Sequence, residues 1–262
     1  MVQYPDKKRV AGMERIDIEK FRQTYSAYVD TFREGGRLPE MMELKRVHTA
    51  FVAANAKEIC SGERFDAHTA DVCVLAALLH DTGRYEQLKK YNTFRDSDSV
   101  DHAVYSHDIV KTLGWLDRLD PADSDAVLKA VLYHNRRDLP NDMPPLTDTA
   151  AKCVRDADKL DIFRVLEDRV KTTDWRKDST AFWNLKYDLP PNPAVLDAIK
   201  KGTSVDYQNI KSIADFVLIQ IGWLKSGLYF ETSRRLAKER NHFEFRRRFV
   251  LELTGYDAAE LM

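Results

Sequence analysis

Val72-Cys73-Val74-Leu75-Ala76-Ala77-Leu78-Leu79, preceded by Ala70 and Asp71, is apolar on every side of a helix and runs directly into His80-Asp81-Thr82-Gly83. A helix of this kind, spanning Thr69 to Leu79, has no face for water and belongs inside the protein. The rest of the chain must wrap around it, and the adjacent His-Asp pair is carried inward. An ionised carboxylate in that position is costly unless a cation or a metal neutralises it.

Elsewhere apolar residues recur at helical spacing, and no stretch alternates between hairpin turn signals, so the expected fold class is all-α. A first helix is expected from about Ile16 to Arg33, stopped by Gly35-Gly36, and a second from Pro39 past Lys57. Further helices are expected at 98–113, 121–134 and 147–170. Leu139-Pro140-Asn141-Asp142-Met143-Pro144-Pro145 reads as a loop, and Asp188-Leu189-Pro190-Pro191-Asn192-Pro193 as a second break. Beyond it lie expected helices at 194–200, 209–225 and 231–253. The apolar run 213–221 needs a surface to pack on, which favours one domain over 1–262, with a core at about 40–170 and a C-terminal helical extension at about 190–262.

Composition narrows the class. Of 262 residues, 44% are hydrophobic and 32% charged, which excludes a disordered chain. No apolar run approaches the ~18 residues a membrane span requires. The basic start Lys7-Lys8-Arg9 has no apolar segment behind it, so the expected compartment is the cytoplasm. Cys60, Cys73 and Cys153 are odd in number and far apart in sequence, with no C-x-x-C pair, and read as reduced packing residues. A net charge of −1 gives no general attraction to nucleic acid or to an anionic membrane. An anionic substrate must be held locally.

Several chemistry-bearing residues fall on inward faces. Leu44, Val47, His48, Phe51, Val52 and Asn55 form one stripe, which points the His48 imidazole at the interior. Val154, Asp158, Asp161 and Val165 share another face, and His134 follows Val127 and Val131 at the same spacing. A single histidine on an apolar face is more often a hydrogen-bonded core residue than a ligand. Imidazoles and carboxylates on several different helices shift that balance, because one metal ion neutralises them together. Nitrogen and oxygen donors without thiolates suit Mn²⁺, Fe, Co²⁺, Ni²⁺ or Mg²⁺ with open positions better than a closed structural zinc.

The pattern of a histidine, a His-Asp pair and a distant aspartate resembles the HD-domain metal-dependent phosphohydrolases, here His48, His80-Asp81 and Asp158. The family's aspartate sits in a segment similar to Ala157-Asp158-Lys159-Leu160-Asp161, which selects Asp158 over Asp156. The flanks 79–87, Thr93-Phe94-Arg95-Asp96, Ser99-Val100-Asp101-His102 and Tyr133-His134-Asn135 resemble an uncharacterised bacterial branch, and the segment 230–235 does so more loosely. The resemblance implies an HD-type helical bundle in which His48, His80, Asp81 and Asp158 bind one divalent metal. It also implies that Asp81 bridges to a second metal on His102 and His134. On spacing alone His102 and His107 stay equivalent. The Gly-Tyr-Pro signature of the cyclic-dinucleotide branch is absent, which disfavours that substrate.

The implied reaction is hydrolysis of a small phosphate ester or nucleotide by metal-activated water, with Asp81, Arg84 and Lys159 as the catalytic group. Arg84 and Lys159 would hold phosphate, though each also suits an ordinary ion pair, and Asp161 would orient a ligand imidazole. Two other readings share the ligand set: a dinuclear-iron oxygenase and a non-catalytic nucleotide-binding module. The basic residues Arg234, Arg235, Lys238, Arg240, Arg246, Arg247 and Arg248 alternate with Glu239, Glu244 and Glu252, the pattern of a solvated helix face laced with ion pairs rather than a nucleic-acid site. Trp175, Trp183 and Trp223 read as core. The expected partner is a small phosphorylated substrate, with no membrane, and a homo-oligomer is left open.

Overall fold

The computed structural model describes residues 15–177, 182 and 185–262; Trp183 and the basic start of the chain lie outside the described residues. The chain is all-α: among the described residues the only bridges of β type are isolated ones at Glu34–Arg37 and Lys186–Ser212. Helix α1 spans Ile18–Asp30, α2 Glu40–Gly62, α3 Ala67–Leu79, α4 Gly83–Tyr91, α5 His102–Thr112, α6 Pro121–Tyr133 and α7 Pro145–Thr172. After the proline-rich break come α8 (Pro193–Lys200), α9 (Ile213–Gly222), α10 (Glu231–Glu239) and α11 (His242–Thr254). No described helix is long and apolar enough to cross a membrane.

Helix α3 is the centre, as its composition requires. Residues 71–79 are all buried, and α1, α2, α6 and α7 pack around it. Asp66 starts it by accepting from the free amides of His68 and Thr69. Asp101 and Asp120 cap α5 and α6 in the same way. Cys60, Cys73 and Cys153 are free thiols where α2, α3 and α7 meet, with the Cys60 and Cys153 sulfurs 3.9 Å apart. Though distant in sequence they are one packing cluster.

Some boundaries differ from the expected ones for local reasons. The chain turns into helix again directly after His80-Asp81, so α4 adds a helix where only a stop is expected. Helix α7 starts at Pro145, two residues before Thr147, because a proline at the first helical position lacks only an N–H that would be unpaired there. The single helix expected over 231–253 is two, since Asn241 adopts a left-handed conformation (φ 56°) that ends one helix and opens the next. The helix expected over 209–225 is Ile213–Gly222, opened by a reciprocal Ser212–Asp215 cap and closed by a π-helical turn at Trp223–Gly227.

A second apolar cluster is built by α8, α9 and α11 with Trp175 and Phe182, and Trp223 packs against both clusters. Buried polar groups join α7 to α11. Arg246, with no exposed surface, donates to Glu167, Gln220, the Phe163 carbonyl and the His242 carbonyl, and His242 Nδ1 lies 2.6 Å from the same Glu167 carboxylate. Arg246 therefore departs from the solvated face expected of the basic run, whereas Arg234, Arg235, Arg240, Arg247 and Arg248 make ion pairs there. Replacing Arg246 by Met leaves the Glu167 carboxylate without its guanidinium partner and beside His242 alone in that network, so stability should fall by about 3 kcal/mol in a guanidinium titration. An unchanged midpoint would show that this network does not hold α11 to α7.

Candidate metal centre

Four imidazoles converge on Asp81 from four directions. His80 and Asp81 are delivered by the C-terminal end of α3, His48 by α2, His102 by the first turn of α5, and His134 by the residue that closes α6. Asp158 comes from the middle of α7. All are buried except Asp158, whose side chain is 17% exposed and marks the open side.

The two oxygens of Asp81 face different partners. Oδ2 lies 3.5 Å from His48 Nε2 and 3.4 Å from His80 Nε2, and Asp158 Oδ1 lies 3.1 and 3.8 Å from those same nitrogens. Oδ1 lies 3.7 Å from both His102 Nε2 and His134 Nε2. The donor groups His48–His80–Asp81, His80–His134–Asp158 and Asp81–His102–His134 each fit within 4.8 Å. One carboxylate thus joins two adjacent donor sets.

Each imidazole is fixed through its other nitrogen. His80 Nδ1 lies 2.7 Å from the Ala77 carbonyl and His134 Nδ1 2.7 Å from the Val131 carbonyl; a carbonyl only accepts, so both Nδ1 atoms carry the proton. His48 Nδ1 lies 2.6 Å from Asp161 and His102 Nδ1 2.5 Å from Asp96, carboxylates that draw the proton to the same position. The Nε2 lone pairs therefore point inward. Those of His48 and His80 are buried without a hydrogen-bond partner. Those of His102 and His134 face each other at 3.0 Å. Two nitrogens bonded at right angles to one cation at ~2.1 Å would lie ~3.0 Å apart, so a divalent ion fits where bare lone pairs otherwise oppose.

The charges agree with this arrangement. Burial pushes the Asp81 carboxyl up, but Lys45, His80 and Arg84 outweigh it and hold the group well below the ordinary carboxylate range. Asp158 is likewise lowered, with His48 and His80 overcoming burial. Burial, together with His102 and His80, brings His134 down to about 3, and burial with Arg84 lowers His102. Both are neutral, as ligands must be. His48 is raised instead, because the Asp158 and Asp161 carboxylates beside its two ring nitrogens outweigh burial and Lys45.

The candidate residues divide plainly. His48, His80, Asp81, Asp158, His102 and His134 come together. His107 lies apart, paired with its neighbour Asp108. Asp156 points the other way, accepting the amides of Tyr229 and Phe230. Arg84 borders the centre, its Nε 3.4 Å from Asp81 and its Nη1 donating to Gln87, the Phe94 carbonyl and Asp96. The Lys159 ammonium donates to the Gly227 carbonyl at 2.7 Å rather than to a carboxylate, and burial with Arg155 lowers it to about 8.

Sequence reasoning passed over Lys45, whose ammonium lies 2.7 Å from Asp81 Oδ2, and Asp96, which anchors both His102 and Arg84. Lys45 lies one turn before His48, a placement that by itself does not separate it from a solvated lysine. Phe51, expected in the buried stripe, is 44% exposed, and the Arg164 guanidinium lies 4.0 Å from its ring centre. Arg164 also clamps Asp161 through two hydrogen bonds, keeping that carboxylate aimed at His48.

Fold and site together define a helical bundle around a histidine–aspartate cluster that could hold a metal ion. Residues 47–162 match the family model of the HD domain. That segment is similar to the HD domain, whose family is mostly metal-dependent hydrolases binding divalent cations. No curated protein and no solved structure matches the chain.

Asp161→Asn keeps the shape but removes the charge behind His48, and metal affinity should fall about 10–100-fold by calorimetric titration. Undiminished affinity would show that Asp161 does not tune this ligand.

Proposed function

We propose that the protein is a phosphohydrolase that cleaves a small phosphate ester or a nucleotide with water activated at this centre. The observation that carries the reading is the pair of donor sets sharing Asp81, with inward lone pairs fixed from behind. His48, His80, Asp158 and Asp81 Oδ2 would hold one divalent cation, and Asp81 Oδ1, His102 and His134 a second. The all-nitrogen-and-oxygen donor set favours Mn²⁺, Fe, Co²⁺, Ni²⁺ or Mg²⁺. Bound cations supply a nucleophilic water at neutral pH and screen charge on the phosphoryl oxygens.

The chain's own residues do the rest. Asp81 keeps the two donor sets in register. Arg84, rigid because Gln87, Phe94 and Asp96 hold its guanidinium, supports a phosphate beside Asp81 through charge-assisted hydrogen bonds. Lys159 has N–H groups left beyond its bond to Gly227 and adds positive charge near Asp158. These cations favour an anionic substrate, and a small one, since they are local to the centre.

The test is metal analysis of the purified protein, followed by a panel of nucleotides and phosphomonoesters with Mn²⁺, Co²⁺, Ni²⁺ and Mg²⁺. Asp81→Ala and His80→Ala should lose metal and turnover together, while Lys159→Ala should mainly raise KM. Unchanged turnover in Asp81→Ala would end the reading. Oxygen uptake by the iron-loaded, reduced protein would identify an oxygenase instead.

Gly83 offers a separate check on the second donor set. A Cβ there would lie 2.6 Å from the backbone nitrogen of Ser106, so Gly83→Ala must push α5, and His102 with it, away from α4. Bound metal should drop toward one ion per chain while His48, His80 and Asp158 retain theirs. Full occupancy in Gly83→Ala would remove His102 from the ligand set.

A further inference from the structure

Lys45 has a position that the phosphohydrolase reading does not use. Its ammonium lies 2.7 Å from Asp81 Oδ2, the oxygen also approached by His48 Nε2 at 3.5 Å and His80 Nε2 at 3.4 Å. A divalent ion held by those groups and the lysine would place two cations against one carboxylate oxygen. Like charges so close repel strongly, because little water intervenes at a carboxylate only 3% exposed.

Lys45 can yield, whereas Arg84 cannot. The Arg84 guanidinium is held by Gln87, the Phe94 carbonyl and Asp96. Among the described residues the Lys45 ammonium has a hydrogen bond to Asp81 alone, on a flexible four-carbon stem with 18% of the side chain exposed. The Phe94 ring lies 5.6 Å from the Lys45 ammonium, and the Arg84 guanidinium also approaches it at 5.5 Å. The two cations thus flank one aromatic ring at the rim of the centre.

We propose that Lys45 is a transferable cation that neutralises Asp81 Oδ2 until a divalent ion takes that oxygen, and then binds the substrate phosphate beside Arg84. The first half concerns metal alone; the second rests on the phosphohydrolase reading. Linkage follows, because a phosphate that draws Lys45 outward favours metal binding and metal equally favours phosphate. A lysine serving only to orient Asp81 would behave oppositely, since its loss would loosen the ligand and weaken the metal.

The experiment compares wild type, Lys45→Met and Lys45→Arg. Mn²⁺ is titrated by calorimetry without substrate, and inorganic phosphate is then titrated into the Mn²⁺-loaded proteins. Met matches the length of the lysine stem, and circular dichroism verifies the fold. Lys45→Met should bind Mn²⁺ more tightly and phosphate more weakly, each by about tenfold, the scale of one charged hydrogen bond. Lys45→Arg should retain phosphate binding. Unchanged or weaker Mn²⁺ binding in Lys45→Met overturns the proposal, and tighter Mn²⁺ with unchanged phosphate overturns the transfer. If wild type itself ignores phosphate, the phosphohydrolase reading and the transfer fail together, and the Mn²⁺ comparison still decides the first half.

Discussion

The Asp81 carboxylate follows the last turn of a helix that is apolar throughout its final eight residues, 72–79. The helix dipole is negative at that end, so the position is unfavourable to an anion even before burial is counted. With 2% of the residue exposed, water cannot compensate. Everything around it answers that deficit: Lys45 and Arg84 from the neighbouring helices α2 and α4, and imidazole groups that can share a cation with it. The apolar helix and the His-Asp pair at its tip are one design, because the first fixes the depth at which the carboxylate must be neutralised.

Helix α7 transmits this constraint to the rest of the chain. Asp158 and Asp161 face the centre three residues apart, while Asp156 accepts amides from residues 229–230 and Lys159 donates to Gly227. A turn earlier Arg155 donates to the carbonyls of Tyr133, His134, Arg136 and Arg137, closing the end of α6 that delivers His134. Further along, Glu167 meets His242 and Arg246 of α11. The C-terminal helices supply no ligand to the donor groups, yet they hold the helix that carries two of the centre's carboxylates.

The inward pointing of His48, the depth of His80-Asp81 and the shared face of Asp158 and Asp161 were legible in the sequence, because each follows from apolar spacing on its own helix. Spacing did not choose His102 over His107, since both fit a stripe on α5, and the choice rested on the family resemblance; physically it depends on how α5 meets α4, where Gly83 donates its amide to Ser106 Oγ. Lys45 escaped for a different reason. A lysine one turn from an inward histidine reads as a solvated residue, and only the tertiary position of Asp81 turns its ammonium inward. Asn241, similarly, looks like any polar helix residue until its backbone adopts a left-handed turn.

The anchors behind the imidazoles also explain why so small a centre requires so large a bundle. Two are backbone carbonyls three residues back on the same helix, Ala77 for His80 and Val131 for His134, available only because each histidine sits at a helix end where carbonyls lack amide partners. The other two are carboxylates, Asp161 of α7 for His48 and Asp96, six residues earlier in the chain, for His102. Asp96 in turn accepts from Arg84 and Gln87, and Asp161 from Arg164. Orientation of the donors therefore depends on α2, α3, α4, α5, α6 and α7 being packed at once. Changing any one contact shifts a lone pair rather than removing it, so such changes should show first in the affinity for metal and only later in the stability of the fold.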